Sequence, residues 1–571
     1  GYDLTPFTAW ERVYREGGKG DIIVTRSLPL NEVNQNNLEI YIHHNQGWVG
    51  VYNTGYDGIP LQKGQKYDLS FFSRMELRGH WRYKGHKLRV ALEDSEGNIL
   101  DSVSFDHISE PWTQYEAVLE PKESTQNGRL VLLGHGRSRL QLDMVSLFPQ
   151  NTFKNRDNGL RKDLAQALAD LDPSFLRFPG GCIAHGWGLD NVYRWKETAG
   201  PLEERVPNWN RWGYHQTYGL GYFEYFQFAE DLGATPLPVV PVGVSCSFTN
   251  MQCVPMDELD QTIQDALDLV EFANGPVDSK WGKVRAEMGH PEPFGLKYVC
   301  LGNEEGNTPE VRKRIPKFVK AFREKYPDIK LIGNSGLSPN IPLYELMDSL
   351  DVYSSDEHYY MDPEWYIEHQ TRFDDWDRDQ PKVFVGEYAS KGNRMYNAVA
   401  EAIFITGIER NGDIVDMASY APLVARYGHT QWTAANLIWF NDQQLVKTPN
   451  YYVQKMFSLN KGDVYLKNEK AGWPGKELAA SVSYDESAEE MIIKIASALE
   501  EDREIEVNIE EARRVKQKGK SELLTAAKNA ENTLENPRNI VPEESEIRTG
   551  KSFSVNVPAM SVQVIRVPVK R

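Results

Sequence analysis

Cysteine is scarce: four residues in 571, Cys182, Cys246, Cys253 and Cys300. Their spacing fits neither a zinc motif nor a disulfide framework. Cys246 and Cys253 are near enough in sequence to close a short loop, but reduced thiols are the simpler expectation. Long apolar runs are missing, since no stretch approaches the roughly 18 residues a membrane span needs. Positive charge is in deficit, with 64 Lys and Arg against 82 Asp and Glu and a net charge of −18. Without any Lys/Arg run to offset it, this surface repels phosphate backbones and anionic lipid, so neither nucleic acid nor membrane is an expected partner. No Asn-x-Ser/Thr sequon occurs, and no signal peptide is visible, a feature that processing would remove. The expectation is a bacterial protein that is periplasmic or secreted rather than cytoplasmic. His-Glu-x-x-His, nucleophile-elbow and dinucleotide patterns are absent, and Gly17-Gly18-Lys19-Gly20 lacks the spacing of a phosphate loop.

Aromatic residues are plentiful, at 11% with 14 Trp and 28 Tyr. Sugar clefts use such rings, and so do large cores. The length exceeds what one core supports, and about two to four domains are expected. Residues 1–150 alternate apolar and polar side chains at 67–73, 87–93 and 140–146, with Gly-rich punctuation, and predict a β-sandwich. From 151 to 459 short apolar runs alternate with helical stretches. The runs are 175–181, 236–243, 297–304, 330–336, 351–359, 382–388 and 415–422. Leu160, Leu164, Leu168 and Leu171 recur at helical spacing before Pro173, and a second helix over 222–231 is closed by Gly233. This pattern predicts a parallel (β/α)8 TIM-type barrel. Seven strands can be counted where closure takes eight, so the first barrel strand is expected to be missing from this chain. Residues 460–571 predict a C-terminal β-sandwich, with strands at 491–495, 505–509, 553–557 and 562–569. The Glu/Lys/Asn-rich stretch 510–550 reads as solvated surface or a long loop. The fold class is therefore multidomain, α/β plus β.

In a parallel barrel, chemistry sits at the C-terminal strand ends. One strand ends in Leu301-Gly302-Asn303-Glu304 and another in Val385-Gly386-Glu387-Tyr388. Two carboxylates at one barrel mouth are what glycoside hydrolysis needs, one as acid/base and one as nucleophile. A third strand ends in Asp356-Glu357-His358-Tyr359-Tyr360. Alternation puts Asp356 and His358 on one face and Glu357 and Tyr359 on the other, so one pair alone can face the axis. His358 and Tyr360 are expected to bind nucleophile and substrate. Arg177, a charge inside an apolar strand, needs a partner, and Glu387 is one candidate, a structural ion pair elsewhere the other. Trp187, Trp195, Trp209 and Trp212 follow that strand, either walling a cleft or packing a long loop.

Phe175–Gly181 running on to His185-Gly186, Gly302-Asn303-Glu304-Glu305-Gly306, Gly386-Glu387-Tyr388-Ala389 and the segment 432–440 resemble glycoside hydrolase family 51, most of whose members are α-L-arabinofuranosidases. The resemblance implies a retaining, exo-acting enzyme that releases arabinofuranosyl groups from arabinose-containing plant cell-wall polysaccharides or oligosaccharides and needs no metal or organic cofactor. It implies Glu304 as acid/base, Glu387 as nucleophile and Arg177 as its support. Asn303 is implied to hold the sugar 2-hydroxyl, Asn436 to contact the arabinose, and His358 and Tyr360 to line the site. Cys182 is implied to line it too, Trp187 is a further substrate-binding candidate, and the N-terminal sandwich is implied to be of carbohydrate-binding type. It also implies that Gly1-Tyr2-Asp3-Leu4 begins just after the family's first barrel strand. The oligomeric state stays open, because relatives often assemble and the flanking domains could block assembly. The rival activities are endo-β-1,4-glucanase or β-xylosidase on the same barrel, and a non-catalytic carbohydrate-binding protein.

Overall fold

The computed structural model describes residues 7–77, 85–337, 341–468, 473, 475–510 and 512–570. The N-terminal region is a β-sandwich. One sheet runs Trp10–Arg15, Trp48–Asn53, Thr125–His135, Lys87–Glu93, Ile99–Phe105, with Ile59–Leu61 beside it. The other runs Gly20–Thr25, Asn37–Ile42, Ser138–Pro149, Tyr67–Leu77, Thr113–Leu119. The strict alternation of Tyr67–Leu77, buried at every odd residue up to Met75, drives Tyr67, Leu69, Phe71 and Met75 into the inter-sheet core beside Val49, Val51, Val90 and Leu132. Its tip docks on the barrel through Asp57, whose carboxylate meets Arg426 at 2.6 Å.

The middle region holds seven parallel strands in sequence order: β1 (Phe175–Phe178), β2 (Thr235–Val240), β3 (Tyr298–Leu301), β4 (Lys330–Leu337), β5 (Ser354–Met361), β6 (Lys382–Ser390) and β7 (Val415–Tyr420). Among the described residues no strand pairs with the outer edge of β1 or β7. The seven strands are those read from the sequence. Residues 1–4, the expected start after a first strand, lie outside the described residues. The helices match too. Lys162–Ala169 buries Ala165 and Ala167 and is followed by Pro173, and Tyr222–Leu232 ends at Gly233, whose φ of 68° is the left-handed cap that glycine adopts without strain.

Side chains on the inner face of the strands fill the lower barrel: Leu237 and Val239, Cys300, Ile332 and Phe384, with Phe175 and Met417 at their edge. Outward residues such as Leu176, Phe178, Val299 and Leu301 meet the helix layer. This apolar plug leaves the upper, C-terminal rim to polar residues.

The C-terminal region stacks a sheet ordered Val464–Tyr465, Leu478–Asp485, Glu490–Ser497, Ser561–Lys570, Lys518–Thr525, Glu543–Arg548 on the pair Arg503–Asn508 and Ser552–Val557. The stretch 510–550 is thus not a long loop throughout. Lys518–Thr525 is a sheet strand that buries Gly519, Ser521 and Leu524, and the charged Glu543–Arg548 is the edge strand beside it. Edge strands carry charge that blocks further pairing, which is why composition alone hid this one. The sheet's other face packs on helix Met395–Arg410, so Ile403 and Phe404 share one core with Ala479, Ile492 and Val562.

Candidate active site

Three strand ends and one turn bring the predicted polar residues together. On β1, Arg177 shares the inward face with Phe175, and its guanidinium is buried above the plug. It donates from Nη1 to Glu387 Oε1 at 2.8 Å, and from Nη2 to Asn303 Oδ1 at 2.7 Å and Asp356 Oδ2 at 3.1 Å. Of the two partners left open for Arg177, the structure gives Glu387. Arg177 also joins three strand ends, because Asn303 follows β3 and Asp356 lies on β5.

Glu387 reaches the site through a break in alternation. Phe384 points inward, so position 387 on a regular strand would point out. The pairing instead slips by one residue between Glu357↔Val385 and His358↔Glu387, and this bulge turns Glu387 toward the axis. Gly386 is required there, since a Cβ on it would fall 1.9 Å from Asp356 Oδ1. Tyr360 Oη donates to Glu387 Oε2 at 2.6 Å, and His358 Nδ1 stands 3.7 Å from the same oxygen. Burial pushes the Glu387 carboxyl up, but the charges of His358 and Arg177 and the Tyr360 hydrogen bond outweigh it and hold it below the usual carboxylate range.

On β5 the inward face is that of Asp356, His358 and Tyr360. Glu357 and Tyr359 point away, bonded to each other and to Arg372. His358 contacts Glu304 more closely than Glu387: Nδ1 lies 2.6 Å from Glu304 Oε1, and Nε2 lies 3.2 Å from Asp356 Oδ2. The sequence pointed His358 to the nucleophile, whereas the shorter contact is to the other carboxylate. Burial would lower the imidazole's pKa, yet the charges of Glu387 and Asp356 raise it well above its ordinary value.

Glu304 stands on the turn after β3. Gly302 has φ 81° and Glu304 itself φ 55°, a left-handed backbone that a non-glycine residue adopts at a cost and that is concentrated at functional sites. Glu305 pins this turn. Its buried carboxylate accepts from the Asn303 backbone N–H at 3.0 Å, meets His185 Nε2 at 2.7 Å and accepts from Asn334. Ser247 Oγ donates to the Glu304 carbonyl at 3.0 Å. The sequence carried Glu305 and His185 only inside motifs, and their function as a brace was not visible there.

One oxygen of Glu304, one of Glu387 and a ring nitrogen of His358 lie within 4.8 Å of one another. Three such atoms could in principle hold a metal ion, but an ion would compete with the guanidinium 2.8 Å from Glu387. Gly181 keeps the backbone clear of this pair of carboxylates. A Cβ on Gly181 would lie 2.8 Å from both Asn303 Nδ2 and Glu387 Oε1, and Asn303 Nδ2 is a buried donor with no partner among the described residues. Cys182 Sγ, in the short helix Gly181–His185, is 3.8 Å from Glu304 Oε2. All four thiols are free, as the spacing suggested.

The segment 427–437 closes one side. Trp432 stands edge-on to Tyr360 at 5.0 Å between ring centres, and Trp212 to Trp432 at 6.0 Å. Buried Asn436 donates from Nδ2 to the Trp432 carbonyl at 3.1 Å, and its Oδ1 has no partner among the described residues. Trp187 is 47% exposed and, among the described residues, hydrogen-bonds to neither carboxylate. The four tryptophans therefore divide: Trp195 is packed against Phe272 and Trp281, Trp209 pairs with His215 in a short two-stranded sheet, and Trp187 and Trp212 flank Arg211.

Comparison with known proteins gives a consistent set. The α-L-arabinofuranosidase 1 domain matches residues 167–378, and the α-L-arabinofuranosidase C-terminal domain matches residues 364–561. An extracellular exo-α-L-arabinofuranosidase of Streptomyces chartreusis is 43% identical over 475 residues, 80% of this chain, and the match spans 55% of that relative's length. α-L-Arabinofuranosidase 1 of Arabidopsis thaliana is 36% identical over 517 residues, 87% of this chain and 73% of the relative. Among solved structures, arabinose-bound MgGH51 α-L-arabinofuranosidase is similar at a TM-score of 0.90 and 33% identity, covering 99% of this chain and 92% of that one.

Proposed function

The chain belongs to the α-L-arabinofuranosidases of glycoside hydrolase family 51, and from that premise we propose that it removes terminal α-L-arabinofuranosyl groups from plant cell-wall polysaccharides or oligosaccharides by a retaining double displacement. The observation that carries this reading is the approach of Glu304 and Glu387, with carboxylate oxygens within 4.8 Å. Retaining enzymes hold their carboxyl groups about 5–5.5 Å apart, and inverting ones about 6.5–9.5 Å to admit a water.

Glu387 is the nucleophile of this proposal. The groups around it favour the anion, and Arg177 and Tyr360 each hold one of its oxygens. Its attack on the anomeric carbon forms a glycosyl-enzyme ester as the bond to the leaving oxygen breaks. Glu304, carrying the proton, gives it to that oxygen, then takes one from the water that cleaves the ester. His358, bonded to Glu304, orients the acid. Arg177 fixes the Asn303 amide through its oxygen, which leaves Nδ2 to donate to the 2-hydroxyl of the sugar. Asn436 Oδ1 accepts from a second hydroxyl, and Cys182 fills the wall beside Glu304. The name of the Streptomyces relative puts that protein outside the cell, which supports secretion here as well.

Hydrolysis of 4-nitrophenyl α-L-arabinofuranoside, with Glu387→Ala as control, tests the proposal. Nitrophenol release that vanishes in the variant supports it. Turnover of β-xylosides or glucan with no release from the arabinofuranoside overturns it.

A further inference from the structure

Among the described residues Arg211 is a cation without a counterion. The chain carries 82 acidic side chains against 64 basic ones, yet among the described residues Arg211 has neither an ion pair nor a hydrogen bond, and its Nε is buried without an acceptor. Its guanidinium is held instead among three aromatic rings, 5.7 Å from the centre of Trp187, 5.6 Å from Trp212 and 5.5 Å from Phe248. Cation–π attraction recovers part of the desolvation cost, but it leaves the hydrogen-bonding edge of the fork unused. Two of these rings are themselves open to solvent, Trp187 at 47% and Phe248 at 51%, so the cluster is not a packed core.

The cluster lies on the Glu304 side of the cleft. Phe248 follows Ser247, whose hydroxyl bonds the Glu304 carbonyl at 3.0 Å. Trp187 follows the helix that sets Cys182 3.8 Å from Glu304 Oε2, and the charge of Arg211 reaches the thiols of Cys182 and Cys246. An acid that protonates the glycosidic oxygen faces the leaving group, so whatever the arabinose is attached to extends over this cluster. Exposed rings suffice to stack a neutral sugar. A half-buried guanidinium adds most where the leaving group brings an anion, because a charge-assisted hydrogen bond is roughly twice as strong as one to a neutral hydroxyl, and among plant polysaccharides that anion is a uronic acid carboxylate.

We propose that Arg211, framed by Trp187, Trp212 and Phe248, is a leaving-group subsite that selects arabinofuranosyl branches on a backbone carrying a uronic acid carboxylate nearby. This rests on the arabinofuranosidase reading above. The planar fork meets the carboxylate while the rings carry the adjoining sugar face.

The test uses two xylo-oligosaccharides bearing one α-L-arabinofuranosyl group, identical except for a glucuronosyl unit on the neighbouring xylose. The full chain is expected to cleave the acidic one with kcat/KM about tenfold higher, mostly through KM, the effect of one charge-assisted hydrogen bond. Added salt should erode that ratio. In Arg211→Gln the ratio should fall to about one, and Arg211→Lys should keep part of it. Because the readout is a ratio between two substrates of one protein, a loss of folded enzyme does not imitate it. Equal kcat/KM for the two substrates in the natural chain, or a ratio unchanged in Arg211→Gln, overturns the proposal. Release of arabinose from neither substrate, nor from the nitrophenyl glycoside, instead brings down the arabinofuranosidase reading and this subsite with it.

Discussion

Replacing Tyr360 by Phe deletes one oxygen and little else. That oxygen donates to Glu387 Oε2 at 2.6 Å, and the next group to the same atom is His358 Nδ1 at 3.7 Å. Arg177 keeps its grip on Oε1 at 2.8 Å. The variant thus strips one carboxylate oxygen of its short donor, the only one among the described residues, and leaves the ion pair intact. A hydrogen bond to a charged group contributes about 1.5–3 kcal/mol. Glu387 titrates below its ordinary range partly because of this bond, so its removal must move the carboxyl upward. The acid limb of kcat/KM against pH reports deprotonation of the nucleophile in free enzyme, and it should shift to higher pH in Tyr360→Phe. Stability follows the same sign. A carboxyl depressed in the folded state stabilises the protein above its unfolded pKa, and that contribution disappears as pH falls through the folded value. Thermal melts should therefore separate the two proteins by about 1–3 kcal/mol near neutral pH and converge under acid. An acid limb that stays put, or moves to lower pH, would refute the reasoning about how Glu387 is kept ionised.

Three further outcomes are expected. Glu304→Ala should lose about 10²–10⁴-fold in kcat/KM on arabino-oligosaccharides but much less on the nitrophenyl glycoside, whose leaving group needs little protonation; steady-state rates on the two substrates decide this. Gly386→Ala puts a Cβ 1.9 Å from Asp356 Oδ1, so it should displace the Arg177 bridge, cost about 1–3 kcal/mol in a thermal melt and lower activity. Glu401 is fully buried, accepts from the Ser390 N–H at 2.8 Å, and is pushed by burial to about 8. A carboxyl raised in the folded state binds its proton more tightly there, so stability should fall as pH rises from its ordinary pKa near 4.5 toward 8, by about 3–5 kcal/mol in total. Glu401→Gln should flatten that dependence in melts taken at pH 5, 6, 7 and 8.

Much of this molecule was legible in its sequence because strand alternation and helical spacing are local signals. The seven barrel strands, the helix ending at Gly233 and the carboxylates after Gly302 and Gly386 all follow from neighbours within a few residues. What escaped depends on long-range contact. The bulge that turns Glu387 inward exists because β5 and β6 slip by one residue, and a strand read alone keeps its period. Glu305 and His185 brace the Glu304 turn across 120 residues of sequence, and Asp356 joins Arg177 of β1 to His358 two residues further along its own strand, β5. The edge strand Glu543–Arg548 was hidden by its charge, which suits an edge and resembles a loop. Arg211 and Phe248 carry no motif at all, and only folding brings them to one side of Glu304.

The central claim is that Glu387 attacks the sugar and Glu304 serves it as acid and base. It is tested most directly by trapping the intermediate with a 2-deoxy-2-fluoro-α-L-arabinofuranosyl substrate bearing a good leaving group, followed by peptide mass mapping. The account predicts one covalent adduct per chain, on the peptide containing Glu387. An adduct on any other residue, or turnover with no covalent species and an inverted product, would contradict it.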